Sequence, residues 1–529
     1  MTDVRGAVDQ LGAAAGFLAE LPPFLGRRLT APEAHHRLEQ QLAARDQTFA
    51  HVLQRAVFEH PASPYRRLFE WAGITMDHVA DMLRAVGIER TLERLHDEGV
   101  RVTLEEFKGR RPLRRPGLEL PVRAEDFDNP LSARQYETQT GGSGGAARRI
   151  LVGLDLLEHE SAYHAGFHAA DGTNERAVAM WLPAPPGAVG IKNALIRAKL
   201  GTPVAQWFSQ SSFADAPVRH RAFANAVLWV ARASGSRIPR PEYTPVREVW
   251  RVVRWLSEQC AAGTPATLLT TPSSAVRACA EAIEREVNIA STRFVLVGEP
   301  FTTAKAAVIA RTGSSAASHY AMVEAGLIGL ACLAPNAPDD VHLVSDKVAT
   351  IQRDRTVAGH GSPVPALFHT TLLPAAPKIM LNVESGDYGV RERRECGCHV
   401  LPAGFREHLH TIRSYEKLTS EGMHFLGDEL LSLVEQVLPA RFGGTATDYQ
   451  FVEYEERGLP KVSLVVSPSV GPFDPDEAVR AMLDYLRGRG VGQKLMTDVW
   501  ANGETLRVER DAPHMTPAGK IQPLQKISE

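Results

Sequence analysis

Cysteine is scarce in this chain: five residues in 529, unevenly spaced, too few for a disulfide framework. Excess positive charge is missing too. With 59 Lys and Arg against 62 Asp and Glu the formal net charge is −3, so composition calls for neither nucleic acid nor an anionic lipid surface as partner. No apolar run is long enough to cross a bilayer. The first residues, MTDVRGAVDQLGAAAGFLAEL, lack a basic stretch ahead of their apolar part, which Asp9 and Glu20 interrupt. A secretory leader is therefore not expected, and the cytosol is the expected location. Internal repeats and low-complexity tracts are absent, which removes solenoids and long disordered tails. What remains is an ordinary globular composition, 44% hydrophobic and 23% charged, at a length that suggests more than one domain.

Periodicity divides the chain into three. Over residues 1–117, segments such as DQTFAHVLQRAVFEH and HVADMLRAVGIERTLERLHDEG carry apolar residues at three- and four-residue spacing, the pattern of amphipathic helices. Prolines in HPASPYRRLFEWAGI separate them. RRPLRRPG, basic and proline-punctuated, reads as a solvated connector. From about Leu118 to Arg413, short apolar strands alternate with helices: ATLLTTP then SAVRACAEAIEREV, RFVLVGEP then TAKAAVIARTG, and later ALFHTTLL. That alternation predicts an α/β body with substantial parallel sheet. After Arg413, GDELLSLVEQVLPARF reads as a helix, YQFVEYEERGLPKVSLVVSP as a hairpin and DPDEAVRAMLDYLRGRG as a second helix. Together they predict a small α+β unit over 414–529, able to move.

Residues 138–149, TQTGGSGGAARR, set four glycines in five positions beside Thr140 and Ser143 and ahead of Arg148 and Arg149. Glycines let backbone approach a ligand closely, successive N–H groups form an anion nest, and arginines add fixed charge. All of this suits a phosphate, although a flexible Gly/Ser linker has the same composition. The Gly-Lys-Ser/Thr ending of a Walker loop is missing, and so are the strand and acidic residue a dinucleotide fold requires. Farther on, GEP (Gly298 to Pro300) ends an apolar strand, and HYAMVEAG sets Tyr320 and Glu324 four residues apart. VESGDYG frames Asp387 with glycines, TIRSYEKLTSEGMHF contains Arg413, and PHMTPAGKIQP carries Lys520. A tyrosine offers a flat π surface to a base, and a glutamate is the hard oxygen ligand Mg²⁺ prefers. Taken singly, each also reads as a turn former, a surface acid or a solvated tail.

In this order and spacing the segments resemble those of the adenylate-forming superfamily: acyl-CoA ligases, peptide-synthetase adenylation domains and luciferases. The resemblance spans residues 136–520. It implies an α/β fold with a large multi-sheet N-terminal adenylating domain over 1–413, helical over 1–117, and a small mobile α+β C-terminal domain over 414–529. It also implies that Thr140, Gly141, Gly142, Ser143, Gly144 and Gly145 hold the β- and γ-phosphates of ATP, with Arg148 assisting departure of pyrophosphate. Gly298, Glu299 and Pro300 would border the adenine and Tyr320 would stack on it. Glu324 would hold Mg²⁺, Asp387 would grip both ribose hydroxyls, and Arg413 would reach the ribose. Lys520 would bridge the acid's carboxylate and the α-phosphate as charge develops. Four positions depart from the family. Gly144 and Val323 replace threonines, Arg148 replaces a lysine, and Tyr415, with Glu416 beside it, replaces a hinge aspartate. Gly422 aligns with the glycine of the mobile loop that follows.

Cys332, His342, Cys396 and Cys398 make a candidate Cys₃His zinc site, closed and therefore structural, with His399 as a substitute ligand. The plain alternative is a buried Cys332 and a solvent-facing His342. Phenylacetate-CoA ligase-like members show a similar arrangement. SPYRRLFEWAGI is similar to that branch and to the acyl-protein synthetases of bacterial luminescence. The implied activity is ATP-dependent conversion of a carboxylic acid to an acyl-adenylate, then transfer to a thiol. CoA is the first choice of acceptor, as in that branch; an acyl carrier protein, a protein cysteine or an amine are the others. The implied cofactors and partners are ATP, Mg²⁺, structural Zn²⁺, CoA and a small carboxylic acid, with no nucleic acid or membrane; a homodimer stays open. Trp207 and Phe208 are candidates for the acid's pocket, with core packing as the alternative. Two rivals stand beside this reading: a degenerate member that binds nucleotide without turnover, and a zinc-dependent hydrolase, which needs an open metal position and a base.

Overall fold

The computed structural model describes residues 2–132, 136–139, 149–185, 187–214, 216, 218–356, 363–414, 419–420, 423–424, 432–456, 459–487, 506–515, 521 and 523–526. Three of its N-terminal helices begin by one device. The hydroxyl of Thr30, Thr75 or Thr103 accepts the N–H three residues on, while Glu33, His78 or Glu106 takes the cap's own N–H. The helices Arg45–Val52 and Met76–Asp97 follow as the periodicity predicts and Ala31–Ala43 precedes them, while the stretch expected to be a proline break itself holds a helix, Pro64–Ala72, because Pro64 sits at its first position, where no N–H is needed. Phe49, Val57, Leu68 and Leu92 are buried with Ile351, Leu367, Phe368 and Val383 of the main sheet, so this helical region covers the sheet rather than standing apart. The basic connector is corrected by the structure. It is a hairpin of β1 (Leu113–Arg115) and β2 (Leu118–Leu120), and Arg115 is buried 3.1 Å from Glu106.

β3 (Tyr136–Gln139) pairs antiparallel with β4 (Arg149–Val152). Six parallel strands then build half of a twelve-stranded sheet: β5 (Ala177–Trp181), β6 (Gln206–Ser209), β7 (Glu242–Tyr243), β8 (Ala266–Thr270), β9 (Thr292–Val297) and β10 (Ser315–Met322). The antiparallel half is β11 (Gly326–Ala331), β12 (Val341–Leu343), β13 (Val348–Arg355), β14 (Val364–Thr371), β15 (Val383–Arg393) and β16 (Glu407–Ser414). The order across the sheet is β13-β14-β15-β16-β12-β11-β10-β9-β8-β5-β6-β7. From β5 the chain runs outward to β6 and β7, then returns to β8 on the other side of β5. Such a reversal opens a crevice at the carboxyl ends of the strands, where doubly wound sheets bind ligands.

The strand–helix alternation stops at Arg311. From Ser315 to Ser414 strands follow one another without intervening helices among the described residues, because antiparallel neighbours need only short turns, such as the one between β10 and β11. Trp207 and Phe208 are 1% and 3% exposed and sit in different core clusters, Trp207 with Met180 and Leu182, Phe208 with Trp181 and Val252. Core packing is therefore what the structure gives them.

The C-terminal part begins with the small hairpin of β17 (Thr419–Ser420) and β18 (Met423–His424). It continues with a separate four-stranded sheet of β19 (Tyr449–Glu456), β20 (Leu459–Val466), β21 (Leu506–Arg510) and β22 (Leu524–Lys526), in the order β21-β20-β19-β22. The β19–β20 hairpin and the Pro475–Arg487 helix stand where the sequence placed them. Leu433, Leu438, Tyr449, Phe451, Leu464 and Met482 belong to a core drawn only from residues 433–508.

Candidate functional site

Of the expected site residues, Thr140, Gly141, Gly142, Ser143, Gly144, Gly145, Arg148 and Lys520 lie outside the described residues, as do Tyr415, Glu416 and Gly422. The remainder is assembled from four strands of one sheet. β9 and β10 are parallel neighbours with Val297 opposite His319, so the Gly298–Pro300 turn emerges beside Tyr320. Gly298 has φ +83°, a left-handed conformation that explains glycine at this strand end.

The Tyr320 hydroxyl donates to Asp387 Oδ2 at 2.8 Å. Its oxygen also lies 3.4 Å from His369 Nε2, and His369 Nδ1 lies 3.0 Å from Thr350 Oγ1. Burial pulls the pKa of His369 down to about 3, which keeps the imidazole neutral. Asp387 is fixed from its own strand: Gly386 has φ +79°, and the Asp387 N–H donates to Ser385 Oγ at 3.1 Å. Register sets Asp387 opposite Ser414 and Tyr388 opposite Arg413, so Arg413 stands on the neighbouring strand one ladder position away.

The Arg413 guanidinium donates to Asp339 Oδ2 at 2.9 Å and to its neighbour's carbonyl, Ile412 O, at 2.8 Å. Asp339 also accepts the N–H groups of Thr411 and Ile412 at 2.9 and 2.8 Å, pinning a kink where Thr411 takes φ +53°. An aromatic face, a carboxylate and a guanidinium thus share one end of the sheet, a set suited to a nucleoside: the ring for a base, the carboxylate for hydroxyl donors.

Glu299 plays another part than its neighbours in the turn. Its Oε2 accepts the Ser273 N–H at 3.1 Å and the Ser273 hydroxyl at 2.5 Å, at the start of the Pro272–Glu284 helix. The Glu299 carboxylate is thus directed back to that helix rather than out of the turn. Glu324 occupies the turn between β10 and β11, half-buried, with no hydrogen-bond or ion-pair partner among the described residues. Sequence reasoning missed Asp339, His369 and Thr350. Only the acidic doublet in APDD offered a signal for the first; nothing in FHTT marks His369 as a neighbour of Tyr320.

A second cluster joins the loops at the ends of β11, β12, β15 and β16. Cys332, His342, Cys396 and Cys398 place one donor atom each within 4.8 Å of all the others. Cys398 Sγ is 4.0 Å from Cys332 Sγ, 3.3 Å from Cys396 Sγ and 3.1 Å from His342 Nε2. Ligands at about 2.3 Å from a shared tetrahedral Zn²⁺ stand about 3.8 Å apart, so the donor set fits that ion. His342 Nδ1 lies 3.2 Å from Phe405 O, which orients the ring and leaves Nε2 toward the sulfurs. His399, with φ +54°, is exposed and outside the group, so His342 is the histidine of the donor set. Around the quartet, Arg394 reaches Cys332 Sγ at 3.7 Å and also pairs with Asp340, which bonds His408 at 2.9 Å. The Cys398 thiol is pulled well below its usual range, chiefly by the hydrogen bond from Cys332, while Cys332 is pushed up by the same bond. Four donors are the number that a closed tetrahedral site takes, which suits a structural ion.

No family model and no curated protein matches the sequence. Among solved structures, the chain is similar to 2-hydroxyisobutyryl-CoA ligase in the postadenylation state. Against the complex with R3-HIB-AMP the TM-score is 0.50 at 16% identity, covering 92% of this chain and 89% of that one. Against the complex with 2-HIB-AMP it is 0.50 at 15% identity, covering 95% and 91%. The fold is shared with these ligase structures: a mixed α/β body with one large sheet, followed by a smaller C-terminal sheet.

Proposed function

We propose that the chain is an AMP-forming acid–thiol ligase. A carboxylate oxygen attacks the α-phosphorus of ATP, the bond to the β-phosphate oxygen breaks, and pyrophosphate leaves. A thiol, CoA before a carrier protein, then attacks the acyl carbon through its sulfur and AMP departs. The observation that carries this reading is the 2.8 Å hydrogen bond from Tyr320 to Asp387, with Arg413 on the adjoining strand. Residues 67 positions apart are joined at one strand edge, in the arrangement a nucleoside calls for. Tyr320 would stack on the base, Asp387 would accept from the ribose hydroxyls, and Arg413, held by Asp339, would reach the ribose.

Glu324 would hold Mg²⁺, which supplies charge compensation on the phosphates. Residues 140–145 would cradle the β- and γ-phosphates, with Arg148 neutralising the departing pyrophosphate. The division into 1–413 and 414–529 belongs to the same proposal, with Lys520 brought to the reacting carboxylate by the smaller unit. Zn²⁺ on the Cys₃His set would be structural, tying the loop ends together. Lys520→Ala tests the assignment of roles. Adenylate formation should fall by several orders of magnitude while transfer from preformed acyl-adenylate persists; equal loss in both half-reactions would remove Lys520 from this role.

A further inference from the structure

The C-terminal unit meets the nucleotide turn through buried charges that belong to neither core. The helix Thr303–Arg311 starts immediately after Gly298–Pro300, with Thr302 as its N-cap. Lys305, in its first turn, is 4% exposed. Its ammonium donates to Pro300 O at 3.1 Å, lies 3.3 Å from Glu435 Oε1 and is 4.0 Å from Glu299 Oε2. Glu435 also accepts the Thr302 hydroxyl. Glu435 lies on the Leu433–Val437 helical turn, whose Leu433 and Val434 are in the C-terminal core. On the neighbouring Pro272–Glu284 helix, Arg277 lies in the field of both Glu299 and Asp448, the latter again from the C-terminal unit. Two cations on the nucleotide side therefore face two acids on the other.

We infer that Lys305 is a positioning residue that couples the seating of the C-terminal unit to the Gly298–Pro300 turn through its buried ion pair with Glu435. This rests on the functional reading above. When Glu435 withdraws, the ammonium keeps one neutral acceptor, Pro300 O, and a carboxylate at 4.0 Å that is already bonded to Ser273. A buried charge stripped of its partner is strongly unfavourable. The ammonium must move toward Glu299, whose Oε1 is buried without a partner among the described residues, and its hold on Pro300 O loosens. Seating the C-terminal unit reverses this and fixes the turn.

Amide hydrogen exchange on Lys305→Met, Glu435→Gln and the double variant tests the coupling without requiring turnover. Each single variant should raise exchange in both 298–311 and 432–442 by about tenfold, leave the Ala266–Thr270 strand unchanged, and raise the KM for ATP more than it lowers kcat. The double variant should match a single one, because contacting partners are non-additive. Exchange that rises in one segment only, that multiplies in the double variant, or that does not change overturns the coupling. Glu435→Gln keeps the shape and the Thr302 partner, so it reports even if Lys305→Met fails to fold. Exchange results as expected in a protein that activates no acid would leave the coupling standing and remove the ligase reading instead.

Discussion

In the proposed site Tyr320 would combine two functions that a single substitution separates: a ring to stack on the base and the hydroxyl that holds Asp387 at 2.8 Å. Tyr320→Phe keeps the first and loses the second. A hydrogen bond to a charged group contributes about 1.5–3 kcal/mol. The KM for ATP should accordingly rise by roughly ten- to a hundredfold with kcat within threefold; an unchanged KM in steady-state kinetics would contradict the assignment. Asp387→Ala should weaken ATP binding at least as much, since it removes the acceptor itself. These residues were legible in the sequence because each stands in a short motif with a chemical reason for its residue types. Asp339 and His369 were not, because their roles arise only when distant strands meet: Asp339 orients Arg413 across the β12–β16 region, and His369 lies against Tyr320 from β14.

Among the elements, the loops after β11 and β15 are joined by the Cys₃His quartet rather than by strand pairing. Metal analysis of the purified protein should give one Zn²⁺ per chain. Cys396→Ser should abolish it and lower Tm by several degrees, while the folded fraction retains nucleotide binding; full zinc content in the variant would contradict the ligand set. The parallel half of the sheet was readable from strand–helix alternation, whose period changes visibly at ATLLTTP and RFVLVGEP. Of the antiparallel half, only β14, in ALFHTTLL, was. Its strands are joined by turns as short as the one at Val323–Ala325, and burial on both faces erases the alternation that marks a half-buried strand. The RRPLRRPG hairpin was hidden for a different reason: its second arginine pair contributes Arg115, which is buried by a carboxylate the sequence cannot bring near.

For the whole molecule, the body buries an unusual set of neutral imidazoles. Burial lowers the pKa of His369 to about 3 and those of His164 and His96 to about 4, with His168 and His319 held well below their usual value. In the unfolded chain each takes up its proton near pH 6.5; in the folded protein the first three do so only near pH 3 to 4. Between these values the unfolded state holds more protons, so stability falls as pH falls from 6.5 toward 4. Urea midpoints measured over that range should drop steeply, and His369→Gln should flatten the slope by about one proton, roughly 1.4 kcal/mol per pH unit. An identical slope in the variant would place the charge change elsewhere. At this scale the placement of the site follows from the topology: the chain reverses to put β8 on the other side of β5, and the Gly298 turn and Tyr320 stand on the next two strands.

The central claim is that this site activates a carboxylate on ATP. ATP–pyrophosphate exchange over a panel of aromatic, fatty, hydroxy and amino acids tests it most directly, with Asp387→Ala and Lys520→Ala beside the parent protein. The account predicts exchange that depends on one class of acid and is lost in both variants. Measurable ATP binding with no exchange for any acid would contradict it, and would make the chain a nucleotide-binding protein without turnover, with Arg148 and Val323 the first positions to restore.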